Sequence, residues 1–503
     1  MMASMKNIIF LGALSIALLL TACSDFLMES SQDEVRPSTT TDLEELLLGE
    51  GYASRTPIFP YLELLTDNVE SNYSDATGQE TMLLGGGPVF TWAEDMFEQL
   101  QKNNVPWYNS WQNLYHWING CNVVIDQLPL VTGSEQAKER IKAEALSLRS
   151  FYYFMLVNAY APPYNTENTE ANAAPGVPLV LKSTVKDEFP KRSSVAEVYE
   201  QIVKDLLEAR NLFAKNGPVA HNVYTVSPLF VDMLLARVYL YEGKWDEVIK
   251  YSSSVIERKP TLLKLRQFYS YDDWQGIVMY DMSKGGVYNS GSPELIWGYS
   301  VNGEYSAYFM GVNFYIDPGK LPAFTVSKEL ENKYASNDIR REAYYNAYLV
   351  MNGFFPEKHL LVGRKSDNVI QNPTKGMRVA EAYLNRAEVY ARKYLLTKDE
   401  EMRRLALNDL NTLREARFTD PYVKLDIMDG EELLKACLDE RRLEFSFEDH
   451  RWFDLRRLGM PALQHTFSIV KGQVQTVRLE KNSSKYVLPI PREVRERNPE
   501  LDK

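Results

Sequence analysis

Glu440 and Glu444 stand four residues apart in Glu-Arg-Arg-Leu-Glu, a spacing that puts both carboxylates on one face of a helix. Two carboxyls flanking a bond are the tools of glycoside hydrolysis, provided an apolar or anionic setting keeps one of them protonated. The setting here is the opposite. Arg441, Arg442, Arg451, Arg456 and Arg457 crowd the same stretch, and neighbouring guanidinium groups pull a carboxyl pKa down. The pair therefore reads as ion-paired and structural. Asp67 and Glu70 have no identifiable catalytic partner. Nucleophile elbows, HExxH, paired CxxC and dinucleotide glycine fingerprints are missing, and Gly85 to Gly87 lacks the Lys-Ser/Thr of a phosphate cradle. His116, His221, His359, His450 and His465 are scattered, with no pair at ligand spacing on one helix, so each reads as a surface or packing residue. No metal site and no cofactor are expected; a bound Ca²⁺ is left open. Cys121 lies on an apolar helical stripe and Cys437 in a C-terminal helix, and a bond between them is also left open.

Composition narrows the classes further. The chain has 503 residues, 45% apolar and 25% charged, which is ordinary globular usage. Its net charge of −12 argues against nucleic acid, whose phosphates need a basic footprint. The 31 Tyr, 21 Phe and 8 Trp exceed what a core needs, so some rings are expected at the surface.

The elements that must position these groups are mostly helical. Lys6, an apolar run from Ile8 to Leu20, and Leu20-Thr21-Ala22-Cys23 form an export signal too short to span a bilayer. A cysteine after small residues resembles the bacterial lipoprotein box. That makes 1–22 a signal peptide, Cys23 the lipidated residue, and 23–41 a polar tether. The body, 42–503, opens on an expected capping box at Thr41-Asp42-Leu43-Glu44. From Gly49 to about Asn104 the chain reads as irregular, with Gly85-Gly86-Gly87-Pro88 at its centre.

Helical periodicity then takes over through Trp107, Trp111, Leu114, Ile118, Cys121 and Ile125, and again from Ile141 to Ala159. Ser194-Val195-Ala196-Glu197 is a second capping box. Leu234 to Pro260 reads helix, Gly243 turn, Trp245, helix, proline, which is the grammar of tetratricopeptide pairs. A looser pair, with a longer insertion between its helices, runs from Ala380 to about Arg417. Helix pairs are thus expected near 107–161, 194–260 and 380–417. Residues 265–335 break the pattern with a dozen rings set among Gly, Ser, Asn and Asp, a ring-rich loop grammar that points to function.

The segment Glu440 to Gly459, ERRLEFSFEDHRWFDLRRLG, resembles the C-terminal signature of the SusD/RagB family of Bacteroidetes outer-membrane lipoproteins. Further stretches agree in order. They include Cys23-Ser24-Asp25-Phe26-Leu27, Trp111 to Tyr115 leading to Asn119-Gly120-Cys121-Asn122, Gly176 to Val180, Ala406 to Asn411, and Tyr486 to Pro491 with Asn498-Pro499. Ala161-Pro162-Pro163 departs from the family's Gly-containing turn.

The resemblance implies a mostly α SusD-like fold, in which tetratricopeptide-like helix pairs support a loop-rich binding face. Its N-terminal part would cover about 42–230 and its C-terminal part about 265–503. It also implies a surface lipoprotein that captures oligosaccharide or polysaccharide without cleaving it, beside a SusC-like TonB-dependent transporter. Glu440, Arg441, Glu444, Phe445, Arg451, Trp452 and Asp454 would be architectural.

A sugar ring has an apolar C–H face ringed by hydroxyls, so a binder needs flat rings with polar groups around them. The candidates are Trp92, Trp274, Tyr299, Tyr305 and Tyr308 as platforms, with Asp67, Asn68 and Asn302 as polar partners. Trp297, after Leu295-Ile296, and the tryptophans on helical patterns are left to packing. Two competing classes remain: a glycoside hydrolase, and a helical-repeat scaffold that binds only proteins or a non-glycan (peptide) cargo.

Overall fold

The computed structural model describes residues 36–502 except 54–56, 73–78, 106–107, 185–187, 218–221, 273–276, 282–284, 300–321, 353–354, 364, 366–372, 374 and 470–472. The chain enters through α1 (Thr40–Leu46), whose capping box uses Thr39 and Asp42 rather than the expected Thr41 and Glu44. Thr39 also bridges to Thr132, which pins the box two residues early.

The stretch expected to be irregular holds β1 (Val69–Ser71) and two helices, α2 (Gln79–Phe90) and α3 (Met96–Lys102). Helix α2 contains the whole Gly85–Pro88 run. Pro88 supplies no N–H to the Leu84 carbonyl, and the Asn103 side chain donates to that oxygen instead, at 2.9 Å. Gly87 lets a neighbour approach, since a Cβ there would come within 2.6 Å of the Phe467 ring. Both compensations come from distant or later residues, which is why local grammar suggested a loop.

A row of helices follows: α4 (Ser110–Gln127), α5 (Glu135–Tyr160), α6 (Val195–Lys215), α7 (Pro228–Glu242) and α8 (Trp245–Arg258). The Ser194–Glu197 capping box forms as read. Gly243 closes α7 in the left-handed region at φ 70°, where a side chain would be strained. Each helix packs on the next, and α8 meets α11 (Val379–Thr397), which packs against α12 (Glu400–Arg417) and α13 (Gly430–Phe445). Only Lys398 and Asp399 separate α11 from α12, so this pair is tighter than expected.

Arg–carboxylate clamps cross the row at several helix contacts. Arg149 of α5 holds Asp205 of α6 at 2.8 Å, Arg237 of α7 holds Glu381 of α11 at 2.6 Å, and Arg386 of α11 holds Asp409 of α12 at 2.7 Å. The last two are bidentate forks, which fix register as well as proximity.

The remaining strands form short antiparallel pairs. β2 (Tyr269–Asp272) pairs with β3 (Ile277–Tyr280), β4 (Leu295–Tyr299) with β8 (Lys375–Arg378), and β6 (Tyr345–Asn352) with β7 (Phe355–Gly363). β1 pairs with β5 (Phe324–Val326), and β9 (Leu463–Phe467) with β10 (Gln475–Leu479). Short helices α9 (Lys328–Glu331) and α10 (Arg340–Ala343) follow β5; α14 (Arg451–Arg457) and α15 (Arg492–Arg497) follow α13.

Trp297 is core, as read, with its ring edge-on to Phe151 and Phe230. Trp452 is fully buried and stacks on Tyr486 at 4.7 Å. Cys121 and Cys437 are both buried free thiols, so no bond joins them.

Candidate functional site

A cleft of about 630 Å³ opens between the β1–β5 pair and the β9–β10 hairpin. Its first wall starts at Thr66-Asp67-Asn68, where the chain leaves a 3₁₀ turn and enters β1. The register Val69↔Val326, Glu70↔Thr325, Ser71↔Phe324 carries that wall into β5. Ser327 then ties the strand ends: its N–H donates to the Asn68 carbonyl at 2.8 Å and its hydroxyl to the Asp67 carbonyl at 2.7 Å.

The second wall is β9. Its alternation buries Leu463, His465 and Phe467 and exposes Gln464 and Thr466, as a half-covered strand should. Ser71 bridges the walls by donating to the Thr466 carbonyl at 2.8 Å. The lining is mixed: Phe90 and Phe467 lie behind it, both nearly fully buried, Val474 is exposed at its edge, and Asp67, Glu70, Glu329 and Gln464 supply polar groups.

The signature after Glu440 holds these walls in place. Arg451 of α14 forks onto Asp67 at 2.8 and 2.7 Å. Arg442 of α13 donates to the Asn68 side-chain carbonyl at 2.8 Å and to Glu329 at 2.7 Å. Burial works to raise the Asp67 pKa, but the hydrogen bonds and charge of Arg451, then the charge of Arg442, hold it below the usual carboxylate range.

Behind them lies a buried ionic lattice. Glu444 accepts from Arg378 at 2.7 Å, Arg417 at 2.9 and 3.0 Å, Arg340 at 3.2 Å and Tyr344 at 2.9 Å. Its desolvation is outweighed by those guanidinium groups, and its pKa lies well below the ordinary value. Glu440 pairs with Arg340 at 2.7 Å. The two carboxylates are thus committed to ion pairs, as expected, but with Arg340, Arg378, Arg414 and Arg417 from outside the signature rather than with the arginines crowded beside them in sequence. Arg441 holds Asp454 in the same lattice at 2.9 Å.

The candidate residues fare unevenly. Asp67 lines the cleft. Asn68 sits beside it but is fully buried, and its amide is spent on Arg442 and on Glu63, to which it donates at 2.7 Å. It is a wall support rather than a sugar partner. Trp92 is also corrected: the ring is 1% exposed, its Nε1–H donates to the Leu65 carbonyl at 3.1 Å, and it stacks on His465 at 4.2 Å. No face is left for a ligand. Tyr299 is buried in β4, its ring 5.3 Å from Trp297, and it borders a small internal void away from the cleft. A fully buried strand presents no platform. Trp274, Asn302, Tyr305 and Tyr308 lie outside the described residues.

Sequence reasoning missed the hairpin. The alternation Leu-Gln-His-Thr-Phe at 463–467 was the available signal, two-residue periodicity with polar residues on one face. His465 is a packing residue, as read. It lies between Phe90 and Trp92, with its nitrogens on the Phe90 and Thr66 carbonyls at 2.6 and 3.0 Å. Burial pushes its pKa down while both carbonyls oppose that shift. Among the described residues no group of His, Cys, Asp and Glu is placed to hold a metal ion, and no helix is long and apolar enough to cross a membrane.

A helical row of this kind, carrying short antiparallel strand pairs, is the fold of the SusD class. Residues 25–240 match the family model SusD-like_3, described as starch-binding associating with outer membrane, and residues 304–503 match SusD_RagB, the SusD family. The chain belongs to the SusD/RagB family. It is 25% identical over 393 residues to SusD-like protein P38 of Formosa agariphila, covering 70% of this chain and 72% of that one. Among solved structures, a SusD-like carbohydrate binding protein from Bacteroides vulgatus superposes with a TM-score of 0.63 at 22% identity, covering 92% of this chain and 97% of that one. A SusD superfamily protein from Bacteroides thetaiotaomicron gives 0.66 at 21% identity, covering 92% and 99%. At those identities the structures establish the fold.

Proposed function

We propose that this protein captures oligosaccharide or polysaccharide at the outer membrane in the cleft between β1–β5 and β9–β10, and passes it to a SusC-like TonB-dependent transporter. The observation that carries the reading is the cleft itself. Its volume suits a short glycan segment, and its lining is rich in acceptors for hydroxyls. Family membership supports association with the outer membrane, and the carbohydrate binding protein of the same fold supports a sugar cargo.

The electrostatics at Asp67 support binding without hydrolysis. A glycosidase needs a carboxyl that keeps its proton, and Asp67, beside Arg451, is held ionised. Lipidation at Cys23 would moor the chain; Cys23→Ala is then expected in the soluble rather than the membrane fraction.

Electrophoresis through gels containing plant, host and microbial polysaccharides tests the capture. Retardation on at least one glycan is expected, together with no new reducing ends. Gln464→Ala combined with Glu70→Gln, both at the cleft, should weaken retardation at least tenfold while leaving the circular dichroism spectrum unchanged. Retardation that survives the double variant puts the site elsewhere. No retardation across the panel, with a bound peptide or protein instead, refutes the glycan reading.

A further inference from the structure

Of the arginines in the C-terminal signature, four are paired with carboxylates: Arg441 with Asp454, Arg442 with Glu329, Arg451 with Asp67 and Arg457 with Glu388. Arg456 is the exception. It lies on α14, only 2% exposed, and its Nη2 donates to the Ala161 carbonyl just past the end of α5. Its Nε and Nη1 have no hydrogen-bond partner among the described residues.

No carboxylate balances the charge. The titratable groups that act on Arg456 are the hydroxyls of Tyr199 on α6 and Tyr241 on α7. Burial raises the pKa of both phenols, so both are neutral. Burial also pushes the guanidinium down to about 10, which still leaves it charged at neutral pH. A further donor lies one helical turn away. Trp452 stands four residues before Arg456, on the same face of α14. It is fully buried, and its Nε1–H also lacks a partner among the described residues.

A buried charge persists only when it is paired or coordinated. Water would satisfy the N–H groups and leave the charge standing. An anion does both. The surroundings are rings, since Phe154 sits edge-on to both Tyr199 and Tyr241, so the occupant has to be compact.

We propose that a monovalent anion of chloride size binds against the Arg456 guanidinium, between α14 and the helical row. It neutralises the buried charge and couples the row to α14, the helix whose Arg451 braces the cleft wall. The site does not depend on what the cleft binds.

Thermal unfolding of the purified chain in sodium chloride and in sodium gluconate at equal ionic strength tests this, with crystals grown in sodium bromide to locate the ion. Chloride is expected to raise the melting temperature by roughly 1–3 °C per tenfold increase in concentration, beyond the gluconate response. Arg456→Met should lose that excess and, in gluconate, melt no lower than the parent, because an apolar side chain replaces an unpaired charge. Anomalous scattering should place bromide at the guanidinium. Equal responses to the two salts, or the same chloride excess in Arg456→Met, overturns the proposal. So does ordered water alone beside Arg456 in the bromide crystals, a result that decides by itself if Arg456→Met fails to fold.

Discussion

Replacing Glu444 by Gln tests whether the buried ionic lattice holds the cleft-bearing half together. The carboxylate is 0% exposed and receives four hydrogen bonds from three arginines and one from Tyr344. Glutamine keeps the volume but removes the charge and turns an NH₂ donor toward guanidinium donors. Breaking a buried ion pair from one side costs about 3–5 kcal/mol, and three arginines lose a partner here, so a loss in that range or above is expected. Urea unfolding followed by far-ultraviolet circular dichroism reads it directly. An internal control is Glu401→Gln, because Glu401 and Arg404 form an exposed pair with side chains 52% and 64% accessible. That change is expected to stay within about 0.5 kcal/mol. The pH dependence has a definite sign. A carboxyl held below its unfolded value of about 4.3 stabilises above that pH, and its contribution is lost as the pH falls. The gap between parent and Glu444→Gln should therefore narrow in acid. A loss under about 1 kcal/mol at pH 7, or a gap that widens in acid, would refute the reasoning.

The partly buried Glu63 behaves in the opposite sense: burial pushes its pKa up to about 7 against hydrogen bonds from Asn68 and the Phe447 N–H. Its native state holds a proton that the unfolded chain releases, so stability falls as pH rises from about 4.3 toward that value, and Glu63→Gln should flatten the parent's decline between pH 5 and 7. Burial raises the Cys121 thiol to about 12 and shifts Cys437 in the same direction; neither should react with Ellman's reagent until denaturant is added, and labelling of the native chain would contradict the buried placement. Gly87→Ala places a methyl against the Phe467 ring that lines the cleft. It should lower stability by about 1–3 kcal/mol through overpacking and weaken glycan retardation; an unchanged urea midpoint would show that the ring has room to move.

Much of the frame was legible because its signals are local. The α4 and α5 stripes, the Ser194 box and the Gly243 turn each sit within a few residues, and propensity, capping and periodicity agree there. That Glu440 and Glu444 are ion-paired was legible from charge, but their partners Arg340, Arg378, Arg414 and Arg417 come from outside the signature and were not. The Gly85–Pro88 helix was not, since it depends on Asn103 and Phe467 to satisfy a carbonyl and to fill the space beside it. Ring exposure was the least legible feature. Nothing near Trp92 announces that Leu65 will take its N–H and His465 its face, and Asn68 gives no hint that Arg442, hundreds of positions later, will occupy its amide. The cleft is assembled from residues near 67, 327 and 465, so its shape exists only after long-range folding.

The span of that assembly has a consequence for biogenesis. Arg442 and Arg451 are made when most of the polypeptide has already emerged, yet they brace segments from its first seventh. A chain halted before them lacks not only the brace but also the end of α13, the Glu444 centre of the ionic lattice and the β9 wall. Cargo retention would therefore require complete synthesis.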